Sequence, residues 1–115
     1  MNNLYEELGK MSKLASVGTA LAQFTESLTE GEFKLEDRVW VYRPCNFVTF
    51  RLTWKRSSSE KIALSLSGGR LLHSVESPHL KLWAGRWATY RSCDITSPRQ
   101  LAAAALYILD IALSD

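Results

Sequence analysis

Two histidines, two cysteines and a cluster of cations and aromatic rings are the residues of this chain with chemistry to offer. His73 and His79 stand six apart across Ser77-Pro78 with Glu76 between them, a spacing that matches no helical metal motif of the HExxH kind. Cys45 and Cys93 show no CxxC spacing, so neither a zinc site nor a disulfide scaffold is indicated. They read as reduced, partly buried thiols, with one disulfide open to them if their strands are neighbours. Either thiol would need His73 in space to act as a nucleophile, and nothing in the spacing requires it. Ser67-Gly68-Gly69-Arg70 lacks the length and the Lys-Ser/Thr ending of a phosphate-binding loop and reads as a tight hairpin. No cofactor and no catalytic motif follow from these residues, and the chain reads as a non-enzymatic protein.

The cations and rings make a stronger pattern. Residues 38–91 carry ten Lys and Arg against Glu60 and Glu76, a balance of +8, whereas residues 1–37 sum to −4 and residues 92–115 to −2. The same middle segment holds eight of the twelve aromatic residues, so charge and rings are concentrated together.

The elements that must position them follow from periodicity. Residues 3–28 predict a helix, with Leu4, Leu8, Met11, Leu14, Val17, Leu21, Phe24 and Leu28 at intervals of three or four. Gly18 within it implies either close packing or a break into two helices, and Gly31 supplies the stop. Residues 38–91, rich in Val, Thr and aromatic residues, predict an antiparallel sheet of four to six strands. The strands fall at Arg38 to Arg43, Phe47 to Lys55, Lys61 to Leu66 and Arg70 to Val75, followed by an extended region from Leu80 to Arg91 in which Gly85 marks a bulge or turn. Pro44-Cys45-Asn46 and Ser57 to Glu60 are read as the first connections. Residues 98–113 predict a C-terminal helix packed on the sheet: Ser97 suits the N-cap, Pro98 the first position, and Gln100 completes a capping box. The 115 residues thus make a single α+β domain.

No stretch reaches the roughly 20 apolar residues a membrane helix needs, since Leu101 to Leu113 is short and contains Asp110. The first residues, with Glu6 and Glu7, do not resemble a secretory leader, and a cytoplasmic protein is expected.

Alternation then sorts the strand residues onto two faces. Val48, Phe50, Leu52 and Trp54, with Ile62, Leu64 and Leu66, read as the core face. With Val39 and Val41 also taken inward, Arg38, Trp40, Tyr42, Phe47, Arg51, Lys55, Lys61, Lys81 and Trp83 fall on the other face, with Arg43 and Arg56 at its margins. Cations that follow phosphates and rings that stack on bases suit single-stranded or structured nucleic acid, each stacked base contributing about 1–3 kcal/mol. In that role Arg38, Arg43, Arg51, Lys55, Arg56, Lys61 and Lys81 take phosphates, and Trp40, Tyr42, Phe47 and Trp83 stack. The same residue types anchor protein interfaces, so the alternative is a protein-interaction module: an adaptor, inhibitor or dimeric accessory protein docking on an acidic protein or a nucleoprotein, or a homodimer formed through its helices. A third arrangement, with a helix on each side of the sheet, covers the rings and leaves the cations as a solvated rim.

Overall fold

The computed structural model describes residues 3–44, 46–53, 60–67, 77–84 and 90–112. Helix α1 (Leu4–Gly9) starts where the Asn3 side chain accepts from the Glu6 amide at 2.9 Å, with Glu6 and Glu7 favourably placed in its positive first turn. Helix α2 (Ala15–Leu28) follows after a break at residues 10–14. The single helix expected over 3–28 is therefore two helices, and the break does not fall at Gly18.

A carboxylate from the sheet makes the break. Glu60 accepts from the Ser12 amide (2.8 Å) and hydroxyl (3.0 Å) with one oxygen, and from the Lys13 and Leu14 amides (both 2.7 Å) with the other. Leu14, the α2 N-cap residue, has no side chain able to cap, so Glu60 supplies from a distance what Ser or Asp supplies locally. Burial alone would raise the pKa of Glu60; the amides of Ser12, Leu14 and Lys13 outweigh it and hold the carboxyl below its usual range. Gly18 stays helical and serves close packing, because a Cβ there would lie 2.3 Å from Leu8 Cδ2 and 2.9 Å from Ile62 Cδ1.

Six antiparallel strands, β1 (Glu32–Glu36), β2 (Val39–Arg43), β3 (Val48–Thr53), β4 (Lys61–Ser67), β5 (Trp83–Ala84) and β6 (Tyr90–Ile95), form one sheet in the order β1-β2-β3-β4-β6-β5. β1 was not expected from the sequence. It joins β2 through Asp37 and Arg38, both at positive φ (50° and 71°), the backbone of a two-residue primed turn. β2, β3 and β4 lie where expected, and β6 extends the last region to Ile95. The expected strand Arg70 to Val75, the Gly68-Gly69 turn, the Ser57 to Ser59 loop and the Gly85 bend lie outside the described residues.

Helix α3 (Leu101–Ala112) begins through a 3-10 turn, Pro98–Gln100, in which Ser97 and Gln100 complete the predicted capping box. It also grips the chain before β5: the Tyr107 hydroxyl donates to the Leu80 carbonyl and accepts from the Ser77 amide, and Gln100 Nε2 donates to the His79 carbonyl at 3.1 Å. No described helix is long and apolar enough to cross a membrane.

The three helices share one side of the sheet. Leu4 and Leu8 of α1, Val17 and Leu21 of α2, and Tyr107 and Ile108 of α3 join Phe50, Ile62, Leu64 and Ile95 in a single core. The α+β architecture, with an N-terminal helical region, an antiparallel sheet and a C-terminal helix packed on it, stands as expected. The arrangement with a helix on each side does not occur among the described residues.

Candidate binding face

Register fixes which residues share each face. On the helix side one cross-strand row runs Leu35, Trp40, Phe50, Leu64, Cys93. On the other side the neighbouring row runs Lys34, Val41, Thr49, Ser65, Ser92, Trp83 and crosses all six strands.

This corrects the sorting of β2. Trp40, 5% exposed, and Tyr42, fully buried, point into the core, while Val41 lies on the opposite face, outside the core cluster although itself only 6% exposed. The Tyr42 hydroxyl donates to the Thr29 carbonyl at 2.7 Å, and its ring meets Phe33 at 5.0 Å and Phe47 at 5.5 Å between centroids. Phe47 is half-buried against the same core. Three of the four rings assigned to stacking therefore serve packing. The physical reason is that Val39-Trp40-Val41-Tyr42 is apolar at every position, so alternation cannot choose a side; the two large rings bury more apolar area than two valines and take the core.

The remaining residues divide by partner. Arg43 binds Glu36 through two contacts of 2.8 Å, and that hydrogen-bonded guanidinium holds the Glu36 carboxyl below its ordinary pKa. Lys61 lies 3.4 Å from Asp94, and Lys34 3.6 Å from Glu32. Arg51, on the open face beside Ala63, is exposed and is the one cation of this face without an ion pair among the described residues. Arg38 is exposed in the β1–β2 turn, Lys81 is exposed before β5, and Trp83 remains 48% exposed at the sheet edge. Lys55 and Arg56 lie outside the described residues. Structure thus brings Arg43, Arg51, Lys61 and Trp83 onto one face and separates Trp40, Tyr42 and Phe47 from them.

Sequence reasoning missed the polar middle of that face. Thr49, Ser65 and Ser92 lie side by side across β3, β4 and β6, with Ala63 between Arg51 and Asp94 in the next row. Their signal was present in the alternation of β4, where small residues at 63, 65 and 67 interleave with Ile62, Leu64 and Leu66. The outcome is a shallow surface of hydroxyls and short side chains flanked by ion pairs.

For catalysis the described residues offer little. Cys93 is fully buried, and burial, with Asp94 adding to it, pushes its thiol up to about 12, so it is protonated at neutral pH. His79 is exposed. His73, Glu76 and Cys45 lie outside the described residues, and no group of three His, Cys, Asp or Glu among the described residues is arranged to hold a metal ion. The Tyr5 hydroxyl donates to Glu26, whose carboxyl is raised by burial and then by Glu32, but this pair stands at the helix side of the fold, away from the open face. Comparisons with family models, with curated proteins and with solved structures returned no match to this chain.

Proposed function

We propose that this is a cytoplasmic, non-enzymatic protein-interaction module whose working surface is the uncovered face of the sheet. The observation that carries the reading is that all three helices lie on one side, leaving Thr49, Ser65 and Ser92 half-buried and Trp83 exposed with no covering helix among the described residues, while Val41 of the same row is buried at 6% and bounds this strip. Short side chains let a partner approach the sheet closely, and the hydroxyls offer donors and acceptors. Five strands of five to seven residues, spaced about 4.8 Å apart and roughly 17–23 Å long, with the two-residue β5 at the edge, give a flat area of roughly 400–500 Å². That is below the roughly 800 Å² per partner of a stable complex, and with its polar character it suits a transient contact.

A protein partner is favoured over nucleic acid because the face is nearly neutralised from within. Lys34, Arg43 and Lys61 each have a carboxylate at hand, which leaves Arg51 to meet a partner. Single-stranded nucleic acid is the second reading, favoured by one observation: exposed Trp83 and unpaired Arg51 lie on the same face, a ring for one base and a cation for one phosphate.

A photo-crosslinking side chain placed at Ser65, and in a control at Ala102 on the solvent side of α3, tests both inside the cell of origin. Protein adducts formed from position 65 and not from 102 support the first reading, and nucleic-acid adducts from 65 support the second. Adducts from neither position, or equally from both, overturn the assignment of this face.

A further inference from the structure

β1 is the outer strand of the sheet, and no hydrogen bond among the described residues engages its free side. Such an edge is a template for another strand, and proteins that avoid pairing blunt it with short strands, charged side chains, proline or a bulge. β1 is short and charged but has neither proline nor bulge, and its three charges, being of both signs, repel a generic strand more than they repel a second copy of β1. Its sequence, Glu32-Phe33-Lys34-Leu35-Glu36, alternates sign along the open face, and on the helix side it presents Leu35 at 57% exposure, the second most exposed large apolar side chain described.

Alternating sign makes the strand complementary to itself in some registers and not in others. Two copies related by a two-fold axis pair antiparallel, and residues facing each other then have numbers with a constant sum. Only even sums match outward-pointing backbone groups with one another. A sum of 68 sets Lys34 against Lys34 and Glu32 against Glu36; a sum of 72 sets Glu36 against Glu36; a sum of 66 sets Lys34 against Glu32 twice but offsets this by bringing Glu30 against Glu36 twice. At a sum of 70, Lys34 faces Glu36 of the partner subunit twice by symmetry, in addition to the Glu32 and Arg43 that these two already meet within the chain, Glu32 comes opposite Arg38 of the turn, which has no ion pair among the described residues, and Leu35 meets its own counterpart. Like charges directly opposite each other are destabilising in a sheet and opposite charges favourable, so the four registers are not equivalent.

We propose that two copies of this chain join through β1 in that register, forming one continuous antiparallel sheet with Leu35 on the two-fold axis. The shallow cavity of about 230 Å³ lined by Glu7, Leu35, Arg38, Trp40 and Leu52 lies beside this axis, with Trp40 and Leu52 as apolar neighbours of Leu35 and Glu7 and Arg38 at its polar side. The inference stands independently of what the open face binds, but it has a consequence for it: the two open faces become one surface of about twice the area, near the size of a standard interface half.

Sedimentation equilibrium on the full chain, in dilute salt and from micromolar to submillimolar concentration, tests this by charge exchange. Lys34→Glu and Glu36→Lys each place like charges opposite one another in a homodimer and are expected to weaken association by about tenfold or more, the equivalent of 1.4 kcal/mol. An equimolar mixture of the two variants restores both opposite-charge pairs and is expected to associate as wild type does. Leu35→Arg, at an exposed position that does not endanger folding, is expected to abolish the dimer. Circular dichroism verifies that each variant is folded. Wild type that stays monomeric throughout, a dimer indifferent to Lys34→Glu and Leu35→Arg, or a mixture of folded charge variants that stays monomeric would each overturn the proposal.

Discussion

Glu60→Gln is expected to cost about 2–3 kcal/mol of folding stability. Two carboxylate oxygens share four donors, three of them backbone amides at the break before α2. An amide side chain keeps one oxygen and turns an NH₂ group toward two of the donors, so two contacts become repulsive and the other two lose their charge. Ser12 and Lys13 are exposed and water can replace part of what their amides lose; Leu14 is fully buried and its amide cannot be rehydrated. One unsatisfied buried N–H costs about 1–3 kcal/mol and a hydrogen bond to a charge contributes about 1.5–3 kcal/mol, which together set the figure after the exposed amides are discounted. Glu60→Ala, which removes all four contacts, should cost somewhat more. Urea unfolding at pH 7 measures both, and hydrogen exchange at residues 12–14 should accelerate in the variant. The pH dependence has a definite sign. A carboxyl whose folded pKa is lowered contributes its stability above about pH 4.3, the ordinary glutamate value. That contribution is lost as pH falls through the lower folded value. The gap between wild type and Glu60→Gln should therefore close in acid. A gap below about 0.5 kcal/mol at pH 7, the range of an ordinary surface substitution, or one that widens in acid, would refute the capping role.

Thermal melting checks three further expectations. Arg38→Gly should raise the melting temperature, because the left-handed conformation at φ 71° costs a non-glycine residue about 1–2 kcal/mol, more than glycine loses in chain entropy; a lowered melting point would contradict the turn. Trp40→Ala should lose about 3–5 kcal/mol as a core ring, whereas Trp83→Ala should change stability by less than about 0.5 kcal/mol; comparable losses would contradict the facing of β2. Gly18→Ala should destabilise by about 1 kcal/mol despite better helix propensity, since the fully buried Leu8 and Ile62 have no room to yield; a gain would mean that they can.

What was legible in the sequence was whatever local chemistry determines. Ser97, Pro98 and Gln100 lie within one turn of each other, so the start of α3 could be read directly. β3 and β4 alternate apolar with polar residues, which fixed both their extent and their facing. β2 has no polar alternate, and only its pairing of Trp40 with Phe50 decides its sides. β1 escaped because an edge strand with three charges in five residues carries no burial signal, and because Arg38 occupies a turn position where glycine is the usual marker. The break before α2 escaped for a third reason: its capping group is 46 residues away from Leu14 in the chain. The candidate face inherited these limits. Arg51, Lys61 and Trp83 could be placed on it, whereas the row of hydroxyls became a surface only once the strands were ordered.

The hold of α3 on the segment before β5 has a bearing on how this protein can vary. Among the described residues, Tyr107 and Gln100 hydrogen-bond main-chain atoms there, the Ser77 amide and the His79 and Leu80 carbonyls. A clamp of that kind specifies a path without specifying side chains. Of the four residues it spans, Leu80 alone is committed to the core; Pro78 and His79 face solvent, as does Lys81 just beyond. Substitution at those exposed positions can alter the charge and shape beside Trp83 while the backbone route stays the same, so this rim of the molecule is free to diversify at little risk to the fold.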